Sequence, residues 1–164
     1  MEYTFTFNEY PKSVDELKAL PEASMDTAFK TAALAMAALM NFKENPEQTF
    51  EMLNFLKGPE PVSPYERQFI KERLAGKEYK VGSYFEGATV ENGYIPNKPL
   101  KITIFDTPNS FAEENWAYVF LKSAGADSPR QIKLRKKPST GQWFLNELMC
   151  LSDIRVPAEL DPWA

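Results

Sequence analysis

Ser123-Ala-Gly-Ala-Asp-Ser-Pro-Arg-Gln-Ile-Lys-Leu-Arg-Lys-Lys-Pro-Ser-Thr-Gly-Gln-Trp-Phe-Leu145 is the stretch that decides the fold. From Arg130 to Lys137 polarity alternates, sending Ile132 and Leu134 to one face and Gln131, Lys133 and Arg135 to the other. That period of two predicts a strand. Pro138-Ser-Thr-Gly141 predicts a hairpin turn, with Gly141 free to take positive φ. Gln142 to Leu148 then returns as the partner strand. Ahead of the hairpin, Ser123 to Pro129 reads as a polar loop, since Asp and Ser before Pro bond to nearby backbone and form turns.

Upstream, Leu100 to Phe105 alternates and predicts another strand. Trp116 to Lys122 is bulky on both faces, with Trp116, Tyr118 and Phe120 against Ala117, Val119 and Leu121. A strand apolar on both faces is covered on both sides, which places it centrally. A helix opening at Glu113-Glu114 is the alternative there. Tyr79 to Phe85 has strand-like content interrupted by Gly82, and residues 87–99 form a loop with turn signals at Asn92-Gly93 and Pro96-Asn97. Asp106 to Ser110 is a turn, and the chain from Leu151 onward reads as a tail.

The first half predicts helices. Ser13-Val-Asp-Glu16 is a capping box that leads into Leu17 and Leu20 and stops at Pro21. Ser24-Met-Asp precedes an alanine- and methionine-rich helix to Phe42, with Phe29, Ala32, Ala33, Met36, Ala37 and Met40 at helical spacing. Its small side chains suit the centre of the packing, and core use is favoured over a methionine-lined groove. Asn45-Pro46 opens a third helix that ends at Gly58-Pro59, and Ser63-Pro64-Tyr65-Glu66 opens a fourth that ends at Gly76. The expected fold class is α+β. About four N-terminal helices (residues 1–76) pack on a C-terminal antiparallel sheet (residues 77–164) with a late hairpin, all in one domain of 164 residues.

Composition narrows the chemistry. The hydrophobic share of 43% is that of a globular protein, and no apolar run is long enough to span a bilayer. Met1 to Tyr10 lacks the basic-then-apolar layout of a signal peptide, so the expected location is the cytosol, in keeping with the single Cys150. Residues 1–76 hold 12 acidic and 8 basic side chains, and residues 77–164 hold 11 of each. That balance argues against general nucleic-acid binding, which needs a broad basic face. There is no histidine, so Ser-His-Asp and Cys-His triads and histidine metal sites are impossible. One cysteine cannot build a thiolate zinc site, and no glycine-rich phosphate loop is present. No catalytic residue, metal or cofactor is assigned.

The candidate binding residues are Asp127, Arg130, Arg135, Lys137 and Trp143. Five cations in eight residues, Arg130 to Lys137, could hold a carboxylate, a phosphate or an acidic partner. The plainer reading is a solvated hairpin face, or charge guarding an edge strand. Asp127 either forms a polar site with Arg130 and Arg135 or pairs with Arg130 to fix the loop. Trp143 and Phe144 point to opposite faces. One enters the core and the other is left beside the basic cluster, where an aromatic ring suits a planar ligand or a peptide. Glu113-Glu114 and Asp153 are the remaining carboxylate candidates, but no spacing forces the paired geometry that a hydrolase needs.

Gly82-Ser-Tyr-Phe-Glu-Gly-Ala-Thr89, Ser123-Ala-Gly-Ala-Asp-Ser-Pro-Arg130, Ser139-Thr-Gly-Gln-Trp-Phe144 and Asp161-Pro-Trp-Ala164 resemble a bacterial family of about this size, classed as a domain of unknown function. The likeness runs from about residue 80 to the end, and the helical half is similar in general layout only. It implies a cytosolic protein with no catalytic residues to carry over. The order of elements also resembles the nuclear-transport-factor-like cone, which has helices first and then a curved sheet with a charged strand, a glycine turn and a tryptophan. That likeness implies a small-molecule pocket between helices and sheet, open to carboxylate or tyrosine chemistry. Four helices before the strands and the missing histidine depart from its pattern. The leading expectation is a non-enzymatic binding or interaction module acting on a protein or a small anionic ligand, with the small-molecule pocket protein as the alternative.

Overall fold

A computed structural model describes residues 1–164. The strands are β1 (Glu2–Phe7), β2 (Leu100–Phe105), β3 (Trp116–Leu121), β4 (Arg130–Lys137) and β5 (Gln142–Met149). The helices are α1 (Val14–Lys18), α2 (Ala28–Leu39), α3 (Pro46–Lys57), α4 (Pro64–Leu74) and α5 (Tyr79–Gly82). The five strands form one antiparallel sheet in sequential order, and the helices lie on one of its faces. The fold is α+β, but the helices do not all precede the sheet. The chain enters through β1, which pairs with β2 from Glu2↔Phe105 to Phe7↔Leu100. Its signal was alternation: Tyr3, Phe5 and Phe7 face the helices, and Glu2, Thr4 and Thr6 face away.

The helix starts follow local chemistry. Ser13, Asn45 and Ser63 each accept a hydrogen bond from the backbone N–H three residues on, and at Ser63 the Glu66 side chain returns the bond to complete a capping box. Each such cap contributes about 1 kcal/mol. α2 begins later than its sequence suggested. Thr27, not Ser24, is the cap, because Pro21–Ser24 forms a 3-10 turn of its own. Eleven of the twelve residues of α2 are buried. A helix apolar all round needs cover on every side, and α2 has the sheet on one side and α3 on the other. Its buried Thr31 hydroxyl donates to the Trp143 carbonyl at 2.7 Å. Met36 is fully buried in the core, as the packing reading expected.

Tyr79 to Phe85 is not a strand. Residues 79–82 make a short helix, and the chain after it drives a wedge into the sheet. β2 and β3 pair only at Phe105↔Phe120. Beyond that pair they part, Phe85 bridges to Ile102, the Glu86 N–H donates to the Lys101 carbonyl, and the Ala124 N–H donates to the Ser83 carbonyl. The core of 37 buried residues draws on α1 to α5 and all five strands. It lies between α2 and the sheet.

The two sheet edges are treated differently. At β5, the Trp143 N–H donates to the Met25 carbonyl at 2.8 Å, and the Lys57 ammonium donates to the Asn146 carbonyl at 2.9 Å. Gln142 Nε2 reaches the Ser24 carbonyl at 3.4 Å. Helical elements thus seal that edge. β1 hydrogen-bonds to β2 alone.

Candidate functional site

The structure separates the five candidate residues. Arg130 opens β4, and Arg135 and Lys137 lie near its far end, about 17 Å or more along the strand. Arg135 and Lys137 point to the open face, whereas Trp143 points to the helix side. There it packs edge-on against Phe111, with ring centroids 5.7 Å apart. Asp127 pairs with Arg155 at 2.9 Å, not with Arg130 or Arg135. Arg135 and Lys137 are therefore the pair that one surface brings together.

Arg130 is occupied elsewhere. Its guanidinium donates to the carbonyls of Ser152 and Asp153 and to Ser128. Other donors grip the same segment. The Tyr84 hydroxyl donates to the Cys150 carbonyl, the Lys80 ammonium to the Leu151 carbonyl at 3.0 Å, and the Tyr94 hydroxyl to the Arg155 carbonyl at 2.7 Å. Carbonyls from Cys150 to Arg155 are thus held by side chains from three parts of the chain. The wedge joins this clamp through its hydroxyls. Ser123 Oγ donates to Ser83 Oγ at 2.7 Å, and Ser83 Oγ donates to the Lys80 carbonyl at 2.6 Å. With Ser83 spent on a carbonyl and Lys80 on another, the pair is not arranged as a base and nucleophile. Burial, with Lys77 and Arg73 nearby, pulls the Lys80 ammonium below its ordinary range, and burial raises the Tyr84 phenol. Two of the strings quoted above, Gly82–Thr89 and Ser123–Arg130, meet here, and their polar residues hold the chain together.

The hairpin offers an open surface. A cleft of about 270 Å³ lies between the α3–α4 loop and the ends of β4 and β5. Lys57, Arg135, Lys136 and Lys137 line it, Phe144 is part of its wall, and Glu60 is its one acid. Gly58 makes this possible. It ends α3 at φ +66, and a Cβ there would collide with the Phe144 ring. Arg135 and Glu60 approach to 3.6 Å with both side chains more than half exposed, a pairing worth under about 1 kcal/mol. Lys57 is held firmly instead, by Glu66 at 2.6 Å. Burial alone would raise the Glu66 carboxyl, but the Lys57 ammonium and the Ser63 N–H outweigh it and hold it below the usual range. Lys57 and Glu60 carry no local sequence signal for this role, because α3 brings them to the hairpin from about 75–90 residues away in the chain. Phe144, rather than Trp143, is the aromatic left beside the basic cluster.

The cleft continues onto the open face of the sheet. Trp116, Tyr118 and Phe120 of β3 are half-buried there with no second layer above them. Long cations from neighbouring strands roof them instead. Lys133 Nζ lies 4.5 Å from the Trp116 ring centre, and the Arg135 guanidinium carbon 5.0 Å from it. β3 is central, as its two apolar faces implied, but only one of those faces is enclosed. Aliphatic stems of Lys and Arg cover the other while their charges stay in water. No group of three or more Asp, Glu or Cys side chains converges to hold a metal ion, and no helix is long and apolar enough to cross a membrane.

These features define an α+β protein with an open basic cleft at a hairpin and an internal clamp on its C-terminal segment. The chain belongs to the family described as a domain of unknown function, DUF6935, whose match spans residues 9–158 and so takes in the helical half as well as the sheet. No curated protein and no solved structure matches it.

Proposed function

We propose that this protein is a non-enzymatic, cytosolic interaction module whose hairpin cleft receives an acidic segment of a partner protein. This reading rests on the meeting of Arg135 and Lys137 at one open cleft walled by Phe144. Lys57 is spent on Glu66 and Lys136 leans over Trp143 on the other face, which leaves Arg135 and Lys137 to meet a carboxylate, and Arg offers the two-pronged geometry that suits one. An aromatic wall adds apolar contact for the stem of a bound side chain. Glu60 rests on Arg135 as an internal stand-in for the partner's carboxylate, held weakly enough to be displaced. The chain's net charge of −4 leaves no broad basic field for nucleic acid. In calorimetric titration with a Glu-rich peptide, Arg135→Glu with Lys137→Glu abolishes binding and Glu60→Gln strengthens it. Equal binding by all three proteins would refute the proposal.

A further inference from the structure

We infer that the bare edge of β1 is a self-association surface, on which a second copy of this chain pairs antiparallel, β1 against β1. Hydrogen-bond parity decides which residues of β1 face outward. The Asp106 N–H donates to the Met1 carbonyl at 3.1 Å, in line with the Glu2↔Phe105 register. In an antiparallel ladder bonded and non-bonded pairs alternate. Met1, Tyr3, Phe5 and Phe7 therefore turn their backbone groups toward β2, and Glu2, Thr4 and Thr6 turn theirs outward. No other part of the chain hydrogen-bonds to those outward groups.

Proteins normally blunt such an edge with Pro, Lys, a bulge or a cover. β5 has its cover, supplied by Met25, Ser24 and Lys57. β1 has none of the four devices: its sequence Glu-Tyr-Thr-Phe-Thr-Phe is unbroken, β-prone and regular along its whole length.

The strand is complementary to itself in one register. A two-fold axis through Thr4 sets Thr4 opposite Thr4, Glu2 opposite Thr6 and Tyr3 opposite Phe5. All three outward residues then fall in bonded pairs, giving about six backbone hydrogen bonds. Side chains of one face meet side chains of the same face, so the helical layers of the two copies lie on the same side. Tyr3, 40% exposed, gains an aromatic cross-strand partner in Phe5 of the other copy. No two like charges stand directly opposite. The result is a continuous sheet of two copies, and each hairpin cleft remains open at its far edge.

The test is the mass of the untagged protein by light scattering and sedimentation from micromolar to millimolar concentration. The wild type shifts toward twice the chain mass as concentration rises. Thr4→Pro removes a donor that faces outward, away from β2, and Thr4→Lys puts like charges on the axis. Both variants stay at one chain mass while their circular dichroism matches the wild type. A wild type that remains at one chain mass throughout overturns the inference. So does a dimer that survives Thr4→Lys in a folded protein. The clefts do not take part, so Arg135→Glu with Lys137→Glu leaves the dimer intact and distinguishes this inference from the acidic-partner proposal.

Discussion

The buried hydroxyl of Ser123 donates to that of Ser83 at 2.7 Å, joining two segments 40 residues apart where β2 and β3 separate. Ser123 Oγ also accepts the Gly125 N–H at 3.0 Å. Ser123→Ala leaves that buried N–H without a partner and deprives Ser83 of its donor. The expected loss is about 1–3 kcal/mol in urea unfolding. A loss below experimental error would show that the hydroxyl chain does not hold the wedge.

Two arginines on one strand should behave oppositely. Arg130 donates to the Ser152 and Asp153 carbonyls, so Arg130→Ala costs about 2 kcal/mol or more and speeds amide exchange through residues 150–155. Arg135 makes only an exposed ion pair and a cation–π contact, so Arg135→Ala costs under about 1 kcal/mol. Equal costs at the two positions would contradict the division between clamp and cleft.

Glycines at 125 and 141 offer a similar contrast. A Cβ on Gly125 would lie inside contact distance of the Tyr94 hydroxyl and 2.7 Å from Ile154 Cγ2, whereas Gly141 has open space at φ +76. Gly125→Ala forces the clamped segment outward and is expected to cost about 3 kcal/mol or more. Gly141→Ala meets only backbone strain, about 1 kcal/mol. Thermal unfolding of the two variants measures the difference directly.

Burial pushes the Cys150 thiol up to about 12, from an ordinary value of about 9. The native protein holds that proton to higher pH than the unfolded chain, so this group's contribution to stability falls as pH rises through that window. Native Cys150 should resist a thiol reagent at pH 8, with labelling that tracks global unfolding in urea. Rapid labelling without denaturant would contradict its packing against Met36, whose sulfur is 3.8 Å away.

Much of the fold was legible because its signals are local. Asn45-Pro46, Ser63-Pro64 and the Arg130–Leu148 alternation each specify an element within a few residues. β1 was equally legible in principle, since Tyr3, Phe5 and Phe7 alternate with Glu2, Thr4 and Thr6, but a helical first half obscured it. Tyr79 to Phe85 misled because its aromatic content suits a strand, while its actual conformation depends on filling the gap between β2 and β3. The cleft was half legible. Arg135 and Lys137 share a strand face by spacing alone, but Lys57 and Glu60 arrive through the packing of α3 on β5. Arg130 and Asp127 stand close to Arg135 in sequence, yet strand geometry carries them to the other end of the sheet.

The most direct test of the cleft's role is amide chemical-shift mapping of the isotope-labelled protein during titration with a Glu-rich peptide. Saturable shifts centred on Lys57, Glu60, Arg135, Lys137, Phe144 and Asn146 are expected, and they are lost in the Arg135→Glu, Lys137→Glu protein. Shifts centred on Arg130 and Asp127, or none at the hairpin, would contradict that role.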